Sequence, residues 1–215
     1  MVDAIARRVA VVGSGMAGLL SARVLSDYFD EVVLIDRDDI PGVPGTRLGV
    51  PQGKHFHALL PGGLTIACDL FPGFADDLQT AGAVPCVGGR DFFAFRPEGK
   101  SYDLTTYRPE PRPTGTIYFM SRGLLEDCVR QRVTALSNVT TRYRALVREP
   151  QTDGSSVCGV IIDGGERVDA DLVVDATGRH ARSVGWLTPL GFDVPVESVV
   201  NCDFAYASAV LRPDD

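Results

Sequence analysis

The first forty residues carry two continuous apolar runs of strand length separated by an amphipathic stretch. Arg8 to Val12 is a short β-branched run closed by Gly13, and Glu31 to Asp36 (EVVLID) is the second. Between them, from Met16 to Tyr28, Ala17, Leu19, Leu20, Ala22, Val24 and Leu25 recur at helical spacing. Strands that are apolar at nearly every position are buried on both faces. Strand, helix and strand within about 30 residues therefore predict the crossover unit of a parallel sheet.

Further along, the period changes. Glycine and proline are dense from Asp38 to Gly53, which predicts a long loop of the kind that touches a ligand. Helices are predicted over His57 to Leu70 and Pro72 to Ala81. From Val84 to Tyr118 the stretches DFFAFR, PEGK and SYDLTTY alternate and turn like a hairpin, an antiparallel excursion out of the parallel sheet. TIYFM then leads into a helix from Ser121 to Leu136, with Ser121 as N-cap and Leu124, Leu125, Cys128, Val129 and Val133 along one side. NVTTRYRALVREP and SSVCGVIIDGGERVDA read as three strands of a small meander, turning at Asp153-Gly154 and Gly164-Gly165. DLVVDATGRHARS is again a buried strand that runs through a glycine turn into a helix. After Pro189 an alternating strand follows, up to Asp215.

Composition narrows the partners. With 45% hydrophobic residues in 215, the chain can fill a sizeable core. Lys and Arg number 21 against 28 Asp and Glu, a net charge of -7 with no basic block, so nucleic acid and anionic lipid are not expected partners. No run approaches the roughly 18 apolar residues of a membrane span, and the early VAVVG run lacks a signal cleavage site. A cytoplasmic protein is expected. The five cysteines are odd in number, widely spaced and without C-x-x-C, which argues against both a disulfide framework and a zinc site.

Gly13-Ser14-Gly15-Met16-Ala17-Gly18 fits G-x-G-x-x-G after a predicted strand and at the opening of a predicted helix. The first glycine permits the tight turn, the second lets a pyrophosphate approach the backbone, and the third lets helix and strand pack closely. Amides and the helix dipole then hold the anion. Asp36 ends the second strand about 20 residues on, where a carboxylate accepts hydrogen bonds from ribose hydroxyls. A solvated strand-end acid is its alternative reading. A carboxylate there disfavours a 2'-phosphate and so NADP as the tightly held dinucleotide, although Arg37 beside it could invite one.

Two of the three histidines, His55 and His57, stand two positions apart in GVPQGKHFHALLPGG. In a strand such residues share a face but diverge; on a helix they stand about 200° apart. They make a poor chelate without a third ligand, so no metal is expected. No G-x-S-x-G nucleophile or Cys/His pairing is present.

Together the glycine fingerprint, SRGLLEDCVRQRV and DLVVDATGRHARSVGWL resemble the FAD-dependent monooxygenases of the aromatic hydroxylase type. TRLGVPQGKHFHALLPGG is similar to a bacterial branch with polyether and squalene-type epoxidases. The resemblance implies a Rossmann-like FAD/NAD(P)-binding parallel sheet with an antiparallel meander over residues 1–83 and 119–192. It implies the beginning of a substrate-domain sheet over 84–118 and 193–215.

By position, Gly13, Gly15, Gly18 and Asp36 would hold the ADP part of FAD, with Arg37 flanking the adenosine. Arg47, Gln52 and His55 would belong to a loop against the flavin, and a structural role for both histidines stands beside direct catalysis. Arg122 would reach the diphosphate side, or be an ordinary helix-surface arginine. Backbone atoms at Val147 would meet the adenine, and Asp175, Ala176 and Gly178 would pass close to the pyrophosphate. Asp175 is followed by alanine where the aromatic hydroxylases have glycine, which puts an NADPH role for this turn in doubt.

In such enzymes NAD(P)H is the transient reductant and reduced FAD activates oxygen, so no general acid or base need appear. The expected substrate is a lipophilic small molecule, to be hydroxylated or epoxidised. An FAD-dependent reductase of the same fold is the alternative. A halogenase should show a W-x-W-x-I-P stretch, whereas the single Trp186 lies elsewhere. The family's later Gly-Asp dipeptide does not occur. That predicts a fragment or one half of a split protein; a further alternative is a chain inactive by itself, with a separate C-terminal half as its partner.

Overall fold

The computed structural model describes residues 6–40, 53, 55–88, 90–91, 94–95, 99–100, 102–103, 115–154, 156–202, 205, 207 and 209. These fall into two compact units, one holding residues 6–40 and those from 129 onward, the other residues 53–128.

The first unit is built on a parallel sheet. Strand β1 (Ala6–Val12) pairs with β2 (Phe29–Ile35), bringing Val9 opposite Val32, and the crossover between them is helix α1 (Met16–Leu25). The same β1 pairs on its other side with a late strand, Leu172–Asp175, and β2 pairs with Val139–Arg142; both ladders are parallel. Val9, Ala10, Val11, Val32, Leu34 and Ile35 are fully buried, which is why the two strands read as unbroken apolar runs. Each of the Val, Leu and Ile side chains among them contributes about 2 kcal/mol by leaving water.

The second unit contains an antiparallel sheet. Strand β3 (Phe56–Leu59) and strand β4 (Val84–Val87) flank a central strand, Thr116–Ser121. Between them come α2 (Pro61–Leu70) and α3 (Phe74–Thr80), which bury Leu64, Phe74 and Leu78. The predicted hairpin is present as β5 (Ala94–Phe95) and β6 (Tyr102–Asp103), paired antiparallel. Phe92 and Phe93 lie outside the described residues. The central strand is β7, and it runs into α4 (Arg122–Thr134). Leu124 N–H donates to Ser121 Oγ at 3.2 Å, so Ser121 caps this helix as its sequence predicts.

After α4 the chain returns to the first unit as β8 (Val139–Arg142), followed by the meander β9 (Val147–Thr152), β10 (Val157–Ile162) and β11 (Arg167–Asp169). The strand beside β1 is β12 (Leu172–Asp175), and α5 (Ser183–Leu187) follows it. One face of the parallel sheet, with Ala10, Val12, Val33 and Ile35, packs against Val147, Val160, Ile162 and Val168 of the meander, and Trp186 closes the cluster.

Three expectations need correction. His57 lies in β3, because residues 56–59 form a ladder with β7 and Pro61, with its fixed φ and no N–H, starts the helix only there. Asn138 to Arg142 does not join the meander but becomes the fourth parallel strand, since Val139 to Arg142 find open hydrogen-bonding groups on β2. Residues 192–202 lie in no strand; a strand needs a neighbour to take its amides and carbonyls, and none pairs with this stretch among the described residues.

Asn138 ties this unit together: its Nδ2 donates to the carbonyls of Ser26 at 2.9 Å and Phe29 at 3.0 Å, while its own carbonyl accepts from Val32 N–H at 2.8 Å. Asn138→Ala removes the side-chain donor shared by the Ser26 carbonyl at the end of α1 and the Phe29 carbonyl at the start of β2. We expect a loss of about 1–2 kcal/mol in the urea unfolding free energy at unchanged m-value.

Candidate functional site

The carboxyl ends of β12, β1 and β2 meet at a glycine turn. Gly13, at φ +99°, bends the chain out of β1 while its N–H donates to Ile35 O at 2.7 Å. Ala176, leaving β12, donates its N–H to Val12 O at 2.8 Å. The space around these glycines differs sharply. A Cβ on Gly13 would lie 2.6 Å from Ala176 O, and one on Gly18 would lie 1.7 Å from Gly13 O. A Cβ on Gly15 would meet nothing within 4 Å. The first and third glycines are thus consumed by packing, and the second borders open space at the first turn of α1, where helix amides have no intrahelical partner.

Asp36 follows β2 directly and is only 7% exposed. One carboxylate oxygen accepts both the Ser14 N–H and the Ser14 hydroxyl, each at 2.6 Å; the other accepts the Asp38 N–H at 2.8 Å. Its backbone is fixed on both sides, donating to Arg142 O at 2.9 Å and accepting from Ala145 N–H at 3.0 Å. On the other side of Ser14 stands Arg130 of α4, 8% exposed, whose Nη1 donates to Ser14 O and to Ser14 Oγ, both at 3.3 Å. Such bonds to ions are worth about 1.5–3 kcal/mol each, and a buried carboxylate needs several of them.

The structure therefore brings Gly13, Gly15, Gly18, Asp36 and Ala176 together in one place. Gly178, at φ +76°, opens a short 3-10 turn just beyond. The Asp175 carboxylate faces its own turn, accepting the Thr177 N–H at 3.0 Å, the Thr177 hydroxyl at 2.5 Å and the Ser183 N–H at 3.2 Å. The Arg37 side chain is 53% exposed and 3.7 Å from Asp38. Val147 is buried in the core cluster, so only its backbone can face a ligand. In the second unit, Arg122 lies 3.9 Å from Glu126 one helical turn on, both largely buried. His57, shifted below the usual histidine value by burial and then by the Arg122 charge, is neutral at physiological pH. His55 is half-buried; Arg47 and Gln52 lie outside the described residues. Among the described residues no group of three His, Cys, Asp or Glu can hold a metal ion, and no helix is long and apolar enough to cross a membrane.

Sequence reasoning passed over Ser14 and Arg130. A signal existed: Arg122, Glu126 and Arg130 recur every four residues, a charged stripe on a helix whose neighbouring stripe is apolar.

Fold and glycine turn define an α/β dinucleotide-type cradle, and the chain has the fold of FAD-binding monooxygenases. The myxobacterial chondrochloren halogenase CndH, an FAD-dependent halogenase, superposes with a TM-score of 0.61 at 23% identity over 82% of this chain and 38% of its own. PqsL of Pseudomonas aeruginosa superposes at 0.60 with 14% identity over 90% of this chain and 48% of its own. In sequence, Protein Rv3254 of Mycobacterium tuberculosis is 38% identical over 216 residues, 95% of this chain and 45% of that protein. The chain thus spans less than half the length of these relatives. No family model matches it.

For Asp175, burial alone would raise the carboxyl; the bonds from Thr177 and Ser183 outweigh it and hold the group below the ordinary value of 3.8. Its stabilising contribution is then complete above the unfolded-state value and lost as pH falls through the lower folded-state one. The urea midpoint of Asp175→Asn should lie below that of the native protein at neutral pH, and the gap should narrow as pH falls from about 5 and close once it has passed below the lowered folded-state value.

Proposed function

We propose that this chain is the FAD-binding part of a flavoprotein monooxygenase that hydroxylates or epoxidises a lipophilic small molecule with O2 and NAD(P)H. One observation carries the reading: a buried carboxylate, Asp36, stands beside a glycine, Gly15, whose missing side chain leaves open space at a helix N-terminus. An adenosine diphosphate moiety needs that pairing, an acceptor for ribose hydroxyls and amides for phosphate.

In this reading Gly13 and Gly18 shape the turn, Gly15 admits the diphosphate and Asp36 takes the ribose. Ala176 and Gly178 line the pyrophosphate side, and Asp175 holds their turn in place. Arg37 flanks the adenosine, the Val147 backbone meets the adenine, and Arg47, Gln52, His55 and Arg122 serve the flavin and diphosphate. Bound FAD would supply the redox chemistry, taking a hydride from NAD(P)H and delivering electrons to oxygen. The chain's own part is to bind, orient and exclude water. Residues 84–118 and 193–215 belong, in the same proposal, to the substrate side of the protein.

The purified whole protein should take up FAD with a shift of the flavin absorbance and quenching of its fluorescence; a protein that leaves the flavin spectrum unchanged at saturating FAD ends this reading. Gly15→Ala separates binding from folding, because φ at Gly15 is -72° and the added methyl meets no protein atom. Its apo melting temperature should match the native one while FAD affinity falls about tenfold or more. Substrate-stimulated oxygen consumption coupled to NAD(P)H oxidation distinguishes the monooxygenase from a reductase of the same fold.

A further inference from the structure

We infer that Arg130 is a positioning residue of the cofactor cradle, acting through Ser14 on both the diphosphate and the ribose ends of the adenosine site. The inference rests on the FAD reading and adds a residue of α4 to it. Three observations meet at Ser14. Arg130 Nη1 donates to the Ser14 carbonyl and to the Ser14 hydroxyl, both at 3.3 Å. The same hydroxyl and the Ser14 N–H donate to Asp36 at 2.6 Å. Ser14 itself is completely buried, and the guanidinium and carboxylate on either side of it are nearly so.

The peptide geometry turns this contact into a directional device. In a planar trans peptide the carbonyl oxygen of one residue and the amide hydrogen of the next point in opposite directions. Holding the Ser14 carbonyl toward Arg130 therefore turns the Gly15 N–H away from it. Flipping that peptide would present a carbonyl oxygen where an anion is to bind, and the Arg130 bond opposes the flip. At the same time the Ser14 hydroxyl, accepting from Arg130, has its hydrogen committed to Asp36. That fixes the carboxylate's position as an acceptor for a ribose diol.

A purely space-filling role does not call for an arginine here. Burying a guanidinium costs several kcal/mol, and apolar residues of similar volume commonly replace buried ions without loss of stability. Its place in the regular stripe with Arg122 and Glu126 keeps it apart from the apolar stripe of Leu125, Cys128, Val129 and Val133, which already supplies the packing.

The test uses the whole protein, with dissociation constants for FAD and for an FAD analogue whose adenosine ribose lacks both hydroxyls. Arg130→Met removes the donor at similar length, Arg130→Lys keeps the charge and one donor group, and Ser14→Ala keeps the carbonyl contact but deletes the hydroxyl. Arg130→Met is expected to weaken FAD about tenfold or more, with Arg130→Lys recovering most of that loss. Ser14→Ala should weaken FAD several-fold and leave the dideoxy analogue unchanged, because its missing bond serves only the ribose. Native-like FAD affinity in folded Arg130→Met overturns the proposal. So does an equal loss for both ligands in Ser14→Ala, and so does native-like FAD affinity in Ser14→Ala should Arg130→Met not fold. Failure of the native protein itself to bind FAD overturns the FAD reading, and is recognised before any variant is compared.

Discussion

A methyl group at residue 18 would sit 1.7 Å from the carbonyl oxygen of Gly13, and that lack of room governs the business end of the first unit. Because neither Gly13 nor Gly18 carries a side chain, α1 rises directly from the end of β1 with its first turn against the strand it has just left. The Ala176 turn closes on Gly13 from the β12 side with the same intimacy. Backbone packing this close leaves the helix N-terminus nowhere to point except across the carboxyl edge of the sheet. In an open parallel sheet that edge is where ligands bind, at the reversal of strand order; β1 lies between β2 and β12, so the crossovers diverge there. Steric exclusion at Gly13, at Gly18 and at the Ala176 turn thus sets the geometry before any polar contact is made.

The polar contacts add what sterics cannot, a charge held in place. A carboxylate as buried as Asp36 gives up solvation worth several kcal/mol, and only a dense set of donors offsets it. Ser14 and Asp38 supply those donors from the two loops that leave β1 and β2, so the acid also fastens the two loops to each other. The arginine behind Ser14 balances the charge across one residue. Such an arrangement is costly for folding alone. Its energetic logic is complete when a ligand shares the acid and the amides.

How much of this was legible in the sequence follows from how local each signal is. The β1–α1–β2 unit, the glycine turn and Asp36 announce themselves because each depends on residues within about 25 positions: continuous apolar runs, a 3.6-residue period, glycines at fixed offsets. The meander turns at Asp153-Gly154 and Gly164-Gly165 were legible for the same reason. Residues 56–59 were not, since a four-residue apolar stretch running into a helix carries no period of its own, and its identity as a strand comes from β7, some sixty residues away. Val139 to Arg142 likewise takes its place from β2, over a hundred residues upstream. For Arg130 the charged stripe was legible but its partner was not. Charged residues on a helix ordinarily face water, and only the fold brings the Ser14 carbonyl, 116 positions earlier, against this one.

The sign of the charge at the end of β2 also bears on how two dinucleotides could share such a protein. A 2'-phosphate brought within about 4 Å of the Asp36 carboxylate would meet a repulsion of about 4 kcal/mol per unit charge at an effective dielectric near 20. Arg37 does little to relieve it, because its guanidinium is half in solvent, where attraction is screened, and stands nearest to Asp38. The cradle therefore favours an unmodified adenosine ribose, as FAD carries, over a phosphorylated one. In the proposed reading, NADPH as reductant would be disfavoured in this cradle and would approach the flavin by another route. On that reading, one buried carboxylate and the serine that fixes it would separate a held from a visiting dinucleotide.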